Sequence, residues 1–445
     1  MEVISGKEFQ EIIYSNNVET ISDIIVEIKT PLNIDLEKVN LFITLSNIKF
    51  TGKQIQFYKY KKECLHRFRF EDCLFESNIF IESDFEDIAF ISNTFNCDRF
   101  HIRKSTIRVL EFSNDESNTY HITSNIFKKG NFKIYECNFD SIFWIKNVQL
   151  MKEVSFDIST VNFHDGCYFD SISLDQIMFY NCNFSKEFRY DSLYNNSQFI
   201  ECNFLGLTDF ISYSNSDSSF LNFESCIFSK LTKFNHYIAH KLRLEDTTFI
   251  DKVSFQGSTF DIIKIERSIF EKTVWFDEIQ INQLNNCDRK TLRIIKQELQ
   301  KAENRIDFNR FRAYELAAHY KELDWKWNSG FIDKSILYLT KISTDFGNSW
   351  RKALRFTIVG GFSIYLILYI IENRDYSIDI LNCDNWGRLF SGFFRFLLVT
   401  DFYNPLETDR VYLTNPFSWL IFIFGKIVIA FGIYEMIQSF RKFKA

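Results

Sequence analysis

Residues Phe70 to Phe100 read FEDCLFESNIFIESDFEDIAFISNTFNCDRF, and phenylalanine stands at 70, 75, 80, 85, 90, 95 and 100, a spacing of five held seven times without a slip. With 52 Phe in 445 residues, a given frame would do this by chance about once in a few million trials. A period of five matches neither the 3.6 of a helix nor the 2 of a flat strand. The chain must turn after each unit while sending one side chain inward, which predicts a coil with a stacked aromatic core. The phase extends upstream through Phe50, Ile55, Tyr60 and Leu65, and it returns at Phe179 and Phe184, Phe199 and Phe204, Phe223 and Phe228, and from Phe255 and Phe260 through Ile265 to Phe270 and Trp275.

A second regularity lies two residues before the aromatic. Cys73, Cys137, Cys167, Cys182, Cys202 and Cys226 each precede a Phe by two, three of them in Cys-Asn-Phe triplets at 137, 182 and 202. This resembles the pentapeptide-repeat family over roughly residues 45 to 283. The resemblance implies a mainly β fold, a right-handed β-helix of four five-residue units per square turn, with the Phe-like residue and the small residue both in the core. The small slot departs from that pattern at Ile88 before Phe90 and Asp98 before Phe100, and the phase slips near 105 to 126, where bulges or loops are expected. About 230 residues at 20 per turn predict a rod of roughly 11 turns. The cysteines read as small core residues, since none of their spacings is that of a metal finger.

Composition supports a repetitive body. Only 3 Pro and 14 Gly accompany the 52 Phe, whereas ordinary globular domains favour Leu and Ala and place Gly and Pro at turns. Residues 1–283 carry 29 Lys+Arg against 41 Asp+Glu and the remainder 23 against 17, so the net charge of -6 divides into about -12 and about +6. An acidic body with a basic tail suits a membrane-facing C-terminus and argues against nucleic-acid binding. The opening Met1–Phe9 lacks the layout of a secretion signal, so the ten Cys are expected to be reduced and cytosolic.

Residues 1–45 lack the repeat; a short helix near Lys7–Tyr14 and the apolar Ile21–Ile28 are expected to cap residues 46–283, because an open solenoid end invites association. After Trp275 the chain becomes dense in Lys, Arg and Glu. Leu292, Ile295 and Leu299, then Phe308, Phe311, Leu316 and Tyr320, fall at helical spacing and predict two amphipathic helices in a connector over 284–345. The stretch Ala302–Leu316 is similar to the helical segment that follows the repeats in membrane-anchored members of the family, which implies docking on the last coil.

Residues 346–445 read as a membrane module. Phe356–Ile371 is a charge-free apolar run extendable to about 353–371, and Pro416–Met436 is a second, giving spans near 353–371 and 416–437. Lys334, Lys341, Arg351 and Lys352 precede the first, and Arg441, Lys442 and Lys444 follow the second. The loop between them carries more acid than base, so both termini and the repeat body are expected in the cytosol, with the chain crossing the inner membrane twice. Between the spans, residues 387–400 include the apolar Leu389–Thr400, too short to cross and read as a re-entrant or interfacial helix. This outline is similar to the two-helix pore module of potassium-type channels, yet Asp401-Phe-Tyr-Asn-Pro stands where the Thr-Val-Gly-Tyr-Gly filter would follow.

Lys426 falls near the middle of the second span, where a charge costs about 2.5 to 3.5 kcal/mol on insertion scales. Lys426 either snorkels to the surface in a differently registered helix, or forms a structural ion pair, for which Asp401 is the better candidate, or serves a wet pore; Glu435 lies too far along the same helix, and Arg395 sits within the short apolar stretch. These four are the pore or gating candidates. The chain has no Gly-rich phosphate loop, no His-Glu-x-x-His and no nucleophile elbow, and His236 and His240, though at i and i+4, lack ligand-bearing neighbours in sequence. No enzyme activity, metal or cofactor is expected. Two functions fit: a solenoid sensor controlling an oligomeric channel-like module, by fold analogy a bacterial stress or anti-phage effector, or a membrane-tethered, non-conducting scaffold for a protein partner. Mimicry of DNA by an acidic rod, as in gyrase-protecting family members, suits the tethered chain less well.

Overall fold

The computed structural model describes the chain except residues 16–18, 40–41, 59–65, 114–124, 129, 147–148, 151–153, 174–175, 195, 213–218, 327–329, 373–382, 408–409 and 442–445. Tyr60 and Leu65 of the upstream phase, and Lys442 and Lys444 of the C-terminal basic flank, thus lie outside the described residues. Two units separate, Met1–Ile294 and Ile295–Ala445.

The first unit is a parallel β-solenoid of about 10 turns. One face is a ladder of twelve parallel strands, with ten rungs from Gln54–Tyr58 to Thr259–Glu266 and a partial rung at either end. Its strands alternate in the ordinary way of a half-buried strand, two residues inward per rung: Ile55 and Phe57, Ile79 and Ile81, Phe100 and Ile102, Phe132 and Ile134. The other faces mix longer strands such as Phe85–Ile91 with two-residue ones, among them Asn162–Phe163, Asn183–Phe184, Asn203–Phe204 and Ile227–Phe228. On these the rings stack coil upon coil: Phe163, Phe184, Phe204 and Phe228 follow at 4.9, 4.8 and 4.5 Å, with planes within 9° of parallel. Those spacings match the distance between hydrogen-bonded strands of about 4.8 Å, so backbone pairing and ring stacking select the same rise.

The period of five is therefore not uniform. Phe70, Phe75, Phe85, Phe90, Phe95 and Phe100 are buried, but Phe80 is half-buried and turns an edge to His101 at 5.3 Å. It sits between Ile79 and Ile81 on the twelve-strand face, where the period of two sends it outward. Coil length varies as well: 20 residues from Phe184 to Phe204, 24 from Phe204 to Phe228 and 32 from Ile107 to Phe139, the last spanning the expected phase slip. Longer coils explain why the turns are fewer than a strict 20 per turn predicts.

The small slot has a backbone reason. Asp72, Glu136, Asn181, Glu201 and Ser225 adopt φ between 50° and 55°, and each immediately precedes a slot cysteine. Among the described residues, thirteen non-glycine corners of this kind recur, from Asp23 to Arg267. Most of these corner N–H groups donate to the next coil, as Glu201 does to Glu224 O at 2.8 Å. The sharp bend leaves room beyond it for a small side chain that can donate. Cys182, Cys202 and Cys226 Sγ meet the carbonyls of Ile158, Phe179 and Phe199 at 3.6, 3.6 and 3.3 Å, and Thr247 Oγ1 does the same to Phe223 O at 3.2 Å. Beside them Asn138, Asn162, Asn183 and Asn203 form an amide ladder, each Nδ2 donating to the preceding Oδ1 at 2.8 Å. Cys167 departs from its predicted place: it registers with Phe143 and Phe188 and takes the position of an aromatic.

Parallel pairing begins well before residue 46. Glu2–Ser5 pairs with Ile24–Ile28, which pairs with Lys49–Gly52. The closing element is helix α1, Gly6–Tyr14, started by a capping box between Ser5 and Glu8. Phe9 of α1 is fully buried, edge-on to Phe50 at 5.5 Å. At the other end Cys287 Sγ and Thr291 Oγ1 accept the N–H groups of Ile263 and Ile265, which would otherwise face an absent coil.

Helix α2, Arg289–Lys301, buries Leu292, Ile295 and Leu299 as their spacing predicts. The second unit continues with α3, Arg305–Glu322, then α4, Phe331–Thr344, α5, Trp350–Glu372, α6, Cys383–Leu397, and α7, Pro416–Arg441. Lys296 and Glu315 pair at 2.5 Å between α2 and α3. Helix α5 and the Pro416–Phe440 part of α7 are long and apolar enough to cross a membrane.

Candidate functional site

The short helix α6 is held between the two long ones by Phe393 and Phe396, which pack with Tyr365 and Leu368 of α5 and with Phe422 and Ile429 of α7. Two glycines permit the approach. A Cβ on Gly425 would stand 2.4 Å from the Phe396 ring, and one on Gly432 would stand 2.1 Å from Thr357 Oγ1. The long helices therefore touch nearly backbone to side chain at Gly432, while Gly425 makes room for the aromatic end of α6.

Lys426 follows Gly425 and is 5% exposed. Its Nζ donates to Phe396 O at 2.9 Å and Leu398 O at 2.6 Å, the carbonyls at the end of α6. The last carbonyls of a helix have no partner within it and carry the negative end of its dipole. An ammonium placed there serves both needs. The rings of Phe422 and Phe396, with centres 4.9 and 5.3 Å from Nζ, surround the remaining charge. Asp401 makes no direct ion pair with Lys426 and acts on it only through space, while its Oδ1 accepts the N–H of Tyr403 at 3.1 Å. The physical reason lies in chain order, because α6 ends before Asp401 and presents its carbonyls first. Leu398 O also accepts Asp401 N–H at 3.1 Å, so the two candidates share one acceptor.

The other candidates are used locally. Arg395 Nη1 donates to Glu407 O at 2.5 Å, fastening α6 to the loop that leads to α7. Glu435 is 9% exposed, and its Oε2 accepts from Thr344 Oγ1 at 3.0 Å, so the carboxylate sits against the C-terminal end of α4. Thr344 gave no signal in the sequence, and neither did the carbonyls of Phe396 and Leu398, since a backbone acceptor has no residue signature.

In the solenoid the slot cysteines, Cys73, Cys137, Cys182, Cys202 and Cys226, are buried and free, and burial pushes the Cys73 and Cys137 thiols up to about 12, far from a reactive thiolate. His240 Nδ1 meets Asp261 Oδ2 at 2.7 Å, with Asn282 Nδ2 on the other carboxylate oxygen at 2.8 Å, whereas His236 occupies a positive-φ corner beside Gly257. Among the described residues, no group of three or more His, Cys, Asp or Glu side chains is placed to hold a metal ion. No protein-family model, no curated protein and no solved structure matches this chain.

Proposed function

We propose that the chain is a membrane-anchored protein of pentapeptide-repeat type, in which the solenoid is a binding platform for a protein partner and the C-terminal module holds it at the cytoplasmic membrane without conducting cations. The observation that carries this reading is the pair of bonds from Lys426 to the end of α6. In a pore built as span, short helix, span, the carbonyl end of the short helix offers negative potential to a passing cation. Here an ammonium of the same chain occupies that end, and Asp401-Phe-Tyr-Asn-Pro follows in place of a filter. The basic residues Lys334, Lys341, Arg351, Lys352 and Arg441 lie on the outer flanks of the two apolar helices, which favours both termini and the solenoid on the cytosolic side. The acidic solenoid makes a protein partner a better match than nucleic acid.

A second reading, an oligomeric channel-like module governed by the solenoid in stress or defence, draws on the span, short helix, span packing itself and on Phe390 and Phe394, which α6 leaves exposed. Conductance and dye release from vesicles holding the intact protein separate the two. The anchored platform predicts no leak from the natural chain, from Lys426→Ala or from Asp401→Ala. A current in the natural chain that either substitution alters would establish the channel reading instead.

A further inference from the structure

Helix α4 carries its polarity the wrong way round for a helix in water. Ile332 is 72% exposed, Ile336 56%, and Leu339 and Ile342 45% each. At spacings of four, three and three they form one continuous stripe, to which the exposed Tyr338 belongs and from which charge is absent. The lysines turn away from it. Lys334 Nζ donates to Leu323 O and stands 5.2 Å from the ring centres of both Tyr320 and Trp325, and Lys341 stands 4.8 Å from that of Tyr320. Lys341 itself stays exposed, so it is the aliphatic stripe that sets α4 apart, since an ordinary surface helix buries such a stripe. A stripe of this kind calls for a non-aqueous cover.

Continuity and charge identify the cover. Helix α4 ends in a tight turn at Asp345, Phe346 and Gly347, all at positive φ, and α5 begins at Trp350. Trp350 stacks on Phe440 at 5.6 Å, which brings the start of α5 level with the end of α7, and Thr344 reaches Glu435 one turn further in. The end of the stripe at Ile342, two residues before Thr344, thus lies near the level at which both long helices would leave a bilayer, and the first turns of α5 carry the exposed Arg351 and Arg355. We propose that α4 is an interfacial helix, its stripe sunk at the boundary between headgroups and acyl chains and the arginines at the start of α5 meeting anionic headgroups. This rests on the membrane reading of α5 and α7, and it adds a third contact with the lipid, made at the surface.

The test uses the full-length chain in vesicles of phosphatidylcholine and phosphatidylglycerol, with a polarity-sensitive thiol fluorophore on Ile336→Cys, on Phe424→Cys as a reference within α7, and on Asp165→Cys as a reference on the solenoid. The unsubstituted chain, labelled in parallel, provides the blank. The Ile336→Cys label is expected to emit to the blue of the Asp165→Cys label, to lose most of its intensity to bromine-bearing lipid, and to resist aqueous iodide. Quenching by lipid at Phe424→Cys together with iodide-sensitive emission at Ile336→Cys would overturn the interfacial helix and leave the spans intact. Protection from iodide without quenching by lipid, accompanied by cross-linking of Ile336→Cys between copies, would assign the stripe to a second copy and overturn it too. Absence of lipid quenching at both Ile336→Cys and Phe424→Cys would defeat the membrane reading and this proposal together.

Discussion

In the solenoid, Cys182, Cys202 and Cys226 lie one coil apart and each thiol meets a carbonyl of the neighbouring coil; in the C-terminal module one ammonium, Lys426, serves two carbonyls at once. The first arrangement is distributed. Neighbouring rungs repeat the bond, with Thr247 standing in for the thiol after Cys226, and the rings stack alongside, so the loss of one leaves its neighbours supported from above and below. The second is concentrated, because α6 depends on one side chain entering from α7 and on one glycine, Gly425, that makes room for its Phe396 ring. Repetition makes the first region readable as a pattern, while the second is decided by contacts that occur once.

The largest effect should come from the period of five where it is real and vanish where it is not. Phe75, 1% exposed and stacked on Phe50 and Phe95 at 5.1 Å, should cost about 3 to 5 kcal/mol when replaced by Ala. Phe80→Ala, on the outward side of its strand, should cost less than about 1 kcal/mol. Thermal unfolding of the intact chain followed by its β signal measures both, and equal losses would mean that the coil is the uniform square the spacing suggests.

Next is the concentrated site. Lys426→Met keeps the length and apolar stem but leaves the Phe396 and Leu398 carbonyls without their donor, at a cost of about 2 kcal/mol. The loss should appear as protease access to the segment around Asp401 with no change in the solenoid transition. A shift of the solenoid melt instead would place the role of Lys426 elsewhere.

The smallest effect concerns acid. Burial, joined by Lys133, Arg99 and Arg103, holds the His101 imidazole below its ordinary value. The unfolded chain then binds a proton that the folded chain resists, so this contribution is whole above the unfolded value near 6.5 and is lost as the pH falls below it. His101→Phe should flatten part of the decline in melting temperature between about pH 7 and about pH 5. An unchanged slope would show that other groups dominate.

The solenoid was legible because stacked rings impose a common period on distant coils, and the seven Phe from 70 to 100 carry that signal openly. Phe80 misled because Ile79 and Ile81, which flank it, become the inward pair once the strand lengthens. Cys167 misled similarly: it precedes Phe169 by two, but no left-handed corner precedes it, and backbone conformation is invisible in the triplet. In the module, the long apolar runs and the short stretch between them were readable from length and composition. The hydrogen-bond partners of Lys426 were not, since they are backbone carbonyls, which carry no residue signature. The sequence places α4 only within an amphipathic connector, because periodicity reports that a stripe exists and not which way it faces.

The left-handed corners carry one more consequence. At positions such as Thr160, Glu201 and Arg267 an L-residue with a Cβ is held at φ near 50°, a conformation that costs roughly 1 to 2 kcal/mol each. Asparagine or glycine would relax it, and the chain places neither at these three. The molecule thus tolerates a series of small backbone penalties one rung after another, and that unrelieved tension marks the outer bends as the places where a laboratory could harden the fold without touching its interior.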